Sequence, residues 1–115
     1  MIEIAIAAPG GPEVLTPREV QTPIPNAGEV LIRVAAAGVN FPDTFQRRGR
    51  YDPPPGHSIV PGLEVSGEIA ASGDGVLTFA VGDRVVALCN GGGYAEYVTV
   101  PAGQVLPLPL SLIHI

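Results

Sequence analysis

Few side chains in this 115-residue chain can do chemistry, and they gather in one stretch. Gly38-Val39-Asn40-Phe41-Pro42-Asp43 leads into Gln46-Arg47-Arg48-Gly49-Arg50-Tyr51-Asp52-Pro53-Pro54-Pro55-Gly56, with Pro61-Gly62-Leu63-Glu64-Val65-Ser66-Gly67 after it. The run puts a carboxamide (Asn40), a carboxylate (Asp43) and a phenol (Tyr51) round a strand–helix–loop corner. A stiff proline loop beside that corner could wall a pocket. Two readings are open. In one these groups line a polar site; in the other Asn40 caps a helix, Asp43 complements its dipole and Tyr51 packs with its hydroxyl at the surface.

Other chemistries find less support. The metal-ligating candidates are Cys89, His57 and His114, with no C-x-x-C or H-x-x-x-H spacing. Tetrahedral zinc needs three or four ligands converging on one point, so no metal site is expected. Cys89 follows an apolar run and reads as a small buried hydrophobe; as a nucleophile it would have only His57 for a partner. His57 itself reads as solvated. Asn90-Gly91-Gly92-Gly93 is not G-x-G-x-x-G and precedes the strand-like YAEYVTV rather than a helix. It reads as a flexible hairpin connection, and the chain has no dinucleotide-binding fingerprint.

The elements that must position these residues are mostly strands. Ile2, Ile4 and Ile6 alternate with Glu3, Ala5 and Ala7, a period of two that predicts a half-buried strand. Ala8 to Pro12 breaks it, and Val14 to Val20 is a weaker strand interrupted by Pro17. After a loop at Thr22–Gly28, EVLIRVAAA (29–37) is the strongest strand, with Val30, Ile32 and Val34 on one face. One helix is predicted, Asn40 to Arg48, with Asn40 at its cap, Pro42 and Asp43 in its first turn and Gly49 at its C′ position. Further strands are predicted at Glu64–Ala71, where Gly67 signals a bulge or close backbone approach, at Arg84–Leu88 and at Tyr94–Val100. Short strands with turns roughly every ten residues describe a β-barrel or sandwich.

Composition agrees with a packed domain and excludes several classes. Glycine (15) and proline (13) are abundant, yet roughly 30% of residues are Leu, Ile, Val or Phe, too apolar for a disordered chain. The net charge is −5 and all six basic residues are arginines in no stripe, so no nucleic-acid partner is expected. The apolar stretch Val105–Ile115 is too short and too proline-broken to span a bilayer, and MIEIAIAAPGG lacks a basic n-region. A single cysteine fits a reducing compartment. No membrane association and a cytoplasmic location are therefore expected.

QRRGRYDPPPG, PGLEVSGEI and VGDRVVALCNGGGYAEYVTVPAGQVLPLP, in that order, resemble the N-terminal GroES-like catalytic domain of medium-chain dehydrogenases/reductases. Within them the chain is similar to the zinc-independent quinone oxidoreductases, in the zeta-crystallin-like (p53-inducible) branch, from Met1 to about Pro109. The resemblance implies an all-β-dominated fold, a GroES-like partly open β-barrel with one short helix, apparently truncated. It implies an NAD(P)H-dependent transfer of hydride to a quinone or enone, with NADPH or NADH held mainly by a Rossmann domain absent from this segment. Asn40 and Tyr51 are the implied catalytic residues, and Phe41, Asp43, Thr44, Phe45 and Tyr51 the implied cofactor contacts. Glu64 is implied to be structural, held by neighbouring backbone or an arginine. Zinc-dependent relatives carry a cysteine where this chain has Asn40 and Gly-His-Glu where it has Gly62-Leu63-Glu64, so no zinc is expected.

The resemblance also implies that residues 1–109 form an incomplete domain, inactive alone, of a protein that is a homodimer at full length. LSLIHI (110–115) is uncapped and apolar, and one reading frame of a common sequencing adapter encodes the same six residues; a non-native tail is expected there. The alternatives are an enoyl-reductase fragment of a larger synthase and a GroES-like binding module without catalysis.

Overall fold

The computed structural model describes residues 1–50 and 53–108. Seven strands and one α-helix follow in chain order: β1 (Ile2–Ile6), β2 (Leu15–Glu19), β3 (Glu29–Ala37), α1 (Phe41–Arg47), β4 (Glu64–Ser72), β5 (Arg84–Leu88), β6 (Tyr97–Pro101) and β7 (Val105–Pro107). Single 3₁₀ turns lie at Pro12–Val14 and Ala102–Gln104. Five strands form one antiparallel sheet in the order β6-β3-β4-β5-β7, while β1 and β2 make a separate hairpin. The hairpin joins the segment before β6 through Ile4 N–H to the Tyr94 carbonyl (2.8 Å) and Glu96 N–H to the Ile2 carbonyl (3.0 Å). The sheets do not close, in agreement with a partly open barrel.

Alternation builds the core. Val65 and Ile69 on β4, Val85 and Ala87 on β5, and Val98 and Val100 on β6 point inward at every second position, against Val30 and Ile32 on β3. Leu31, on the opposite face of β3, is buried as well. Gly67 serves the close backbone approach its sequence position suggests, while the extra residue of the adjoining bulge is Ala35 on β3. The β3–β4 register shifts between Val34 and Ala36, opposite Gly67 and Ser66, and a side chain at 67 would collide with the Arg33 carbonyl.

The helix forms where its signals lie. Asn40 is the N-cap, with extended backbone (φ −124°, ψ 159°), and Pro42 and Asp43 occupy the first turn. Gly49, with φ +75°, takes the left-handed C′ position and donates its N–H to the Gln46 carbonyl at 3.0 Å. The far end of α1 is tied to the turn after β1: Gly10 N–H meets the Arg47 carbonyl (3.0 Å) and Arg47 Nε donates to the Gly10 carbonyl (3.2 Å).

Four expectations are corrected. β2 runs through Pro17 opposite Ile4, because β2 is an edge strand where a missing N–H costs no ladder bond. The strand expected at Tyr94–Val100 begins only at Tyr97, since Tyr94 turns its N–H to the Pro61 carbonyl (3.0 Å). Asn90–Gly93 is neither a hairpin nor loose: β5 and β6 are not neighbours, and the loop is bonded along residues 58–62 through Ser58 N–H to Asn90 O (2.9 Å), Gly92 N–H to Val60 O (2.7 Å) and Gly93 N–H to Gly62 O (3.0 Å). Finally, β7 is a strand the sequence reading omitted, paired to β5 with Val105 opposite Ala87. Tyr51 and the segment 110–115 lie outside the described residues.

Candidate active site

The corner between β3 and α1 gathers most of the residues singled out from the sequence. Asp43 is 5% exposed, and its Oδ2 accepts hydrogen bonds from the Asn40 N–H (3.0 Å) and from the Tyr94 hydroxyl (2.6 Å). The Asp43 N–H returns a bond to the Asn40 carbonyl at 3.0 Å, so residues 40 and 43 form a closed ring. Asp43 Oδ1 is buried with no hydrogen-bond partner among the described residues. Burial first, then the bond to Asp43 and its charge, push the Tyr94 phenol far above its ordinary range. It is a fixed neutral donor.

The outward side of α1 is apolar. Phe41 and Phe45 meet edge to face, with ring centroids 5.0 Å apart. Phe41 is 73% exposed, and Val39 and Ile59 are similarly uncovered. The exposed Phe41–Phe45 pair is apolar surface open to a ligand or partner. Gln46 holds the neighbouring loop: its buried amide Nε2 donates to the Ile59 carbonyl at 2.9 Å. The Thr44 hydroxyl donates to the Phe41 carbonyl at 2.7 Å, leaving its oxygen only acceptor capacity.

Sequence reasoning thus placed Asn40, Phe41, Asp43, Thr44 and Phe45 at one corner, and the structure brings them together. It missed Tyr94 and gave Gln46, within the same stretch, no role. Tyr94 stands 51 residues from Asp43 and had been assigned to a strand, so no local signal reported it. Glu64 departs from expectation: its carboxylate is exposed and accepts no bond from backbone or arginine among the described residues, lying instead over Gly38.

The other chemical candidates stay apart from this corner. Cys89 is buried in the core, and desolvation raises its thiol from 9.0 to about 11, away from nucleophilic use at neutral pH. His57 is exposed. A cleft of about 440 Å³ lies beside the β1–β6 contact and is lined by Glu3, Glu29, His57, Asn90 and Tyr97, among others, but by none of the corner residues. Its polar groups are largely committed: Glu3 pairs with Arg18 (2.8 Å), and Asn90 Oδ1 accepts from Gln104 (3.2 Å). Among the described residues no three His, Cys, Asp or Glu side chains converge, and no helix is long and apolar enough to cross a membrane.

An open antiparallel sheet and one short capped helix after β3, which exposes two aromatic rings while burying a carboxylate, define a GroES-like domain of the alcohol dehydrogenase type. The family model for the alcohol dehydrogenase GroES-like domain matches residues 26–110, and the chain belongs to that family. It is 44% identical over 114 residues to a quinone oxidoreductase of Lama guanicoe, covering 97% of this chain and 34% of that protein. A crystal structure of human synaptic vesicle membrane protein VAT-1 homolog-like protein superposes with TM-score 0.88 at 40% identity, over 96% of this chain and 36% of the other. Escherichia coli quinone oxidoreductase, solved in complex with NADPH, superposes with TM-score 0.85 at 34% identity, over 96% and 34% of the two chains. The chain therefore spans about a third of the length of these relatives.

Proposed function

We propose that this chain is the catalytic-side segment of an NAD(P)H-dependent quinone or enone oxidoreductase that transfers hydride without zinc. One observation carries the reading: the short helix α1 turns the Phe41–Phe45 pair outward while its buried Asp43 is bonded to the half-exposed Asn40 at the cap and to Tyr94. A flat heteroaromatic ring fits such a surface, as it buries apolar surface while a fixed polar group meets its edge. The residues suit the reacting end of a nicotinamide cofactor only. Its phosphates need donors that this chain lacks in any glycine-rich strand–helix turn, and they fall to the length the relatives have beyond this segment.

When bound, the reduced nicotinamide supplies a hydride for two-electron reduction of the substrate. The chain contributes position and polarity. Phe41, Thr44 and Phe45 would meet the ring and exclude water, while Asp43, buried on the inward side of α1, holds the helix cap. The Asn40 carboxamide, half-exposed at the helix cap, donates a hydrogen bond to the substrate oxygen on which charge develops. Tyr51 is the second candidate donor by resemblance. Zinc-free chemistry is supported by the donor set: a carboxamide at 40 and an aliphatic side chain at 63 are poor replacements for thiolate and imidazole.

The test is a turnover assay on the complete open reading frame. Quinone-dependent NADPH oxidation is expected, lowered about tenfold or more in kcat by Asn40→Ala, with no stoichiometric zinc by elemental analysis. The 115-residue chain alone is expected to be inactive. Absence of nicotinamide oxidation with every quinone and enone offered, or one zinc per chain, overturns the proposal.

A further inference from the structure

We propose that Tyr94 is a positioning residue for Asn40, acting through Asp43; this rests on the reading that Asn40 meets the reacting oxygen. The direction in which a cap residue presents its side chain depends on its backbone, and the Asn40 backbone is held from two sides by residue 43. Asp43 has its own rotamer freedom, and only one of its oxygens is bonded among the described residues. That oxygen, Oδ2, takes donors from two segments far apart in the chain, the Asn40 N–H and the Tyr94 hydroxyl.

Tyr94 is a firm point from which to reach. Its N–H donates to the Pro61 carbonyl at 3.0 Å, its carbonyl accepts from Ile4 at 2.8 Å, and the preceding Gly93 N–H donates to the Gly62 carbonyl at 3.0 Å. The phenol thereby ties the first turn of α1 to β1 and to the 61–62 loop. Tyr94→Phe keeps the ring and removes only the hydroxyl. Oδ2 would then keep a single donor, at a carboxylate water scarcely reaches, and a buried carboxylate short of donors rotates or draws in water. Either response loosens Asn40. Asp43 is itself buried, so the effect should reach turnover through geometry rather than through a lost substrate contact.

The experiment uses the complete protein and steady-state quinone reduction by NADPH. Tyr94→Phe is expected to lower kcat about tenfold with KM for NADPH within twofold, while Tyr97→Phe, on β6, changes neither. The double variant Tyr94→Phe/Asn40→Ala should fall within twofold of Asn40→Ala alone, since both act on one group. If Asn40→Ala impairs turnover and Tyr94→Phe does not, the positioning role is overturned and the functional reading stands. If Asn40→Ala has no effect, the functional reading fails first. A readout independent of activity covers a variant that folds poorly: in ring-labelled tyrosine NMR, Asp43→Asn should bring one tyrosine ionisation, absent in Tyr94→Phe, down toward the ordinary range. No movement of any tyrosine would mean the phenol–carboxylate bond is not formed.

Discussion

Gly62→Ala should cost far more than the loss of one glycine's freedom. Gly62 is buried, with φ +106°, a conformation L residues rarely adopt. A Cβ there would lie 2.6 Å from Tyr94 N, 2.7 Å from Gly93 Cα and 2.8 Å from Gly93 C. All three are backbone atoms, so no side chain can swing aside. The left-handed conformation costs about 1–2 kcal/mol. Overpacking adds about 1–3 kcal/mol, for a total of about 2–5 kcal/mol against a native stability of order 5–15 kcal/mol. Gly75→Ala is the control: φ is +83°, but nothing lies within 4 Å of the added carbon, so only the first contribution applies. Guanidinium unfolding followed by far-UV circular dichroism should separate the two variants by about 1–3 kcal/mol. Equal losses would refute the claim that the 61–62 and 93–94 segments are in backbone contact. In the complete protein, Gly62→Ala should also depress turnover more than Gly75→Ala does, because the displaced segment carries Tyr94.

Two further outcomes follow from single side chains. Gln46→Ala removes the donor to the Ile59 carbonyl and should cost about 1–3 kcal/mol, with faster proteolytic cleavage in the 53–60 loop; unchanged cleavage would show that the amide does not hold it. Cys89, with its thiol raised from 9.0 to about 11, should react with iodoacetamide at pH 8 about a hundredfold more slowly than in denaturant. Because the folded state prefers the neutral thiol, that preference stabilises fully below pH 9 and is lost as pH rises from 9 toward 11. Cys89→Ala should reduce that slope, and an unchanged slope would place its origin elsewhere.

How far the fold could be read depended on the range of the signal. Arg84–Leu88 and Glu29–Ala37 emerge with the bounds expected of them, since each carries its own apolar pattern between turn residues. The helix emerges because Asn40, Pro42, Asp43 and Gly49 act on neighbours within one turn. By contrast, Val105-Leu106-Pro107 is a strand only because β5 offers it an edge, and three residues ending in proline have no strand signature. Tyr94 misled for a related reason. Its run alternates as a strand would, but backbone pairing with Pro61 removes it from the sheet.

The amino-acid sequence by itself determined an all-β-dominated chain with one capped helix, and an Asn40–Asp43 pair at spacing three. These are local matters, set by side-chain period and by hydrogen bonds within a turn. Tertiary structure alone decided that Asn90–Gly93 packs along residues 58–62, that Glu64 stands unbonded among the described residues, and that a phenol 51 residues away grips Asp43. Such contacts join segments whose separation along the chain carries no information about their separation in space.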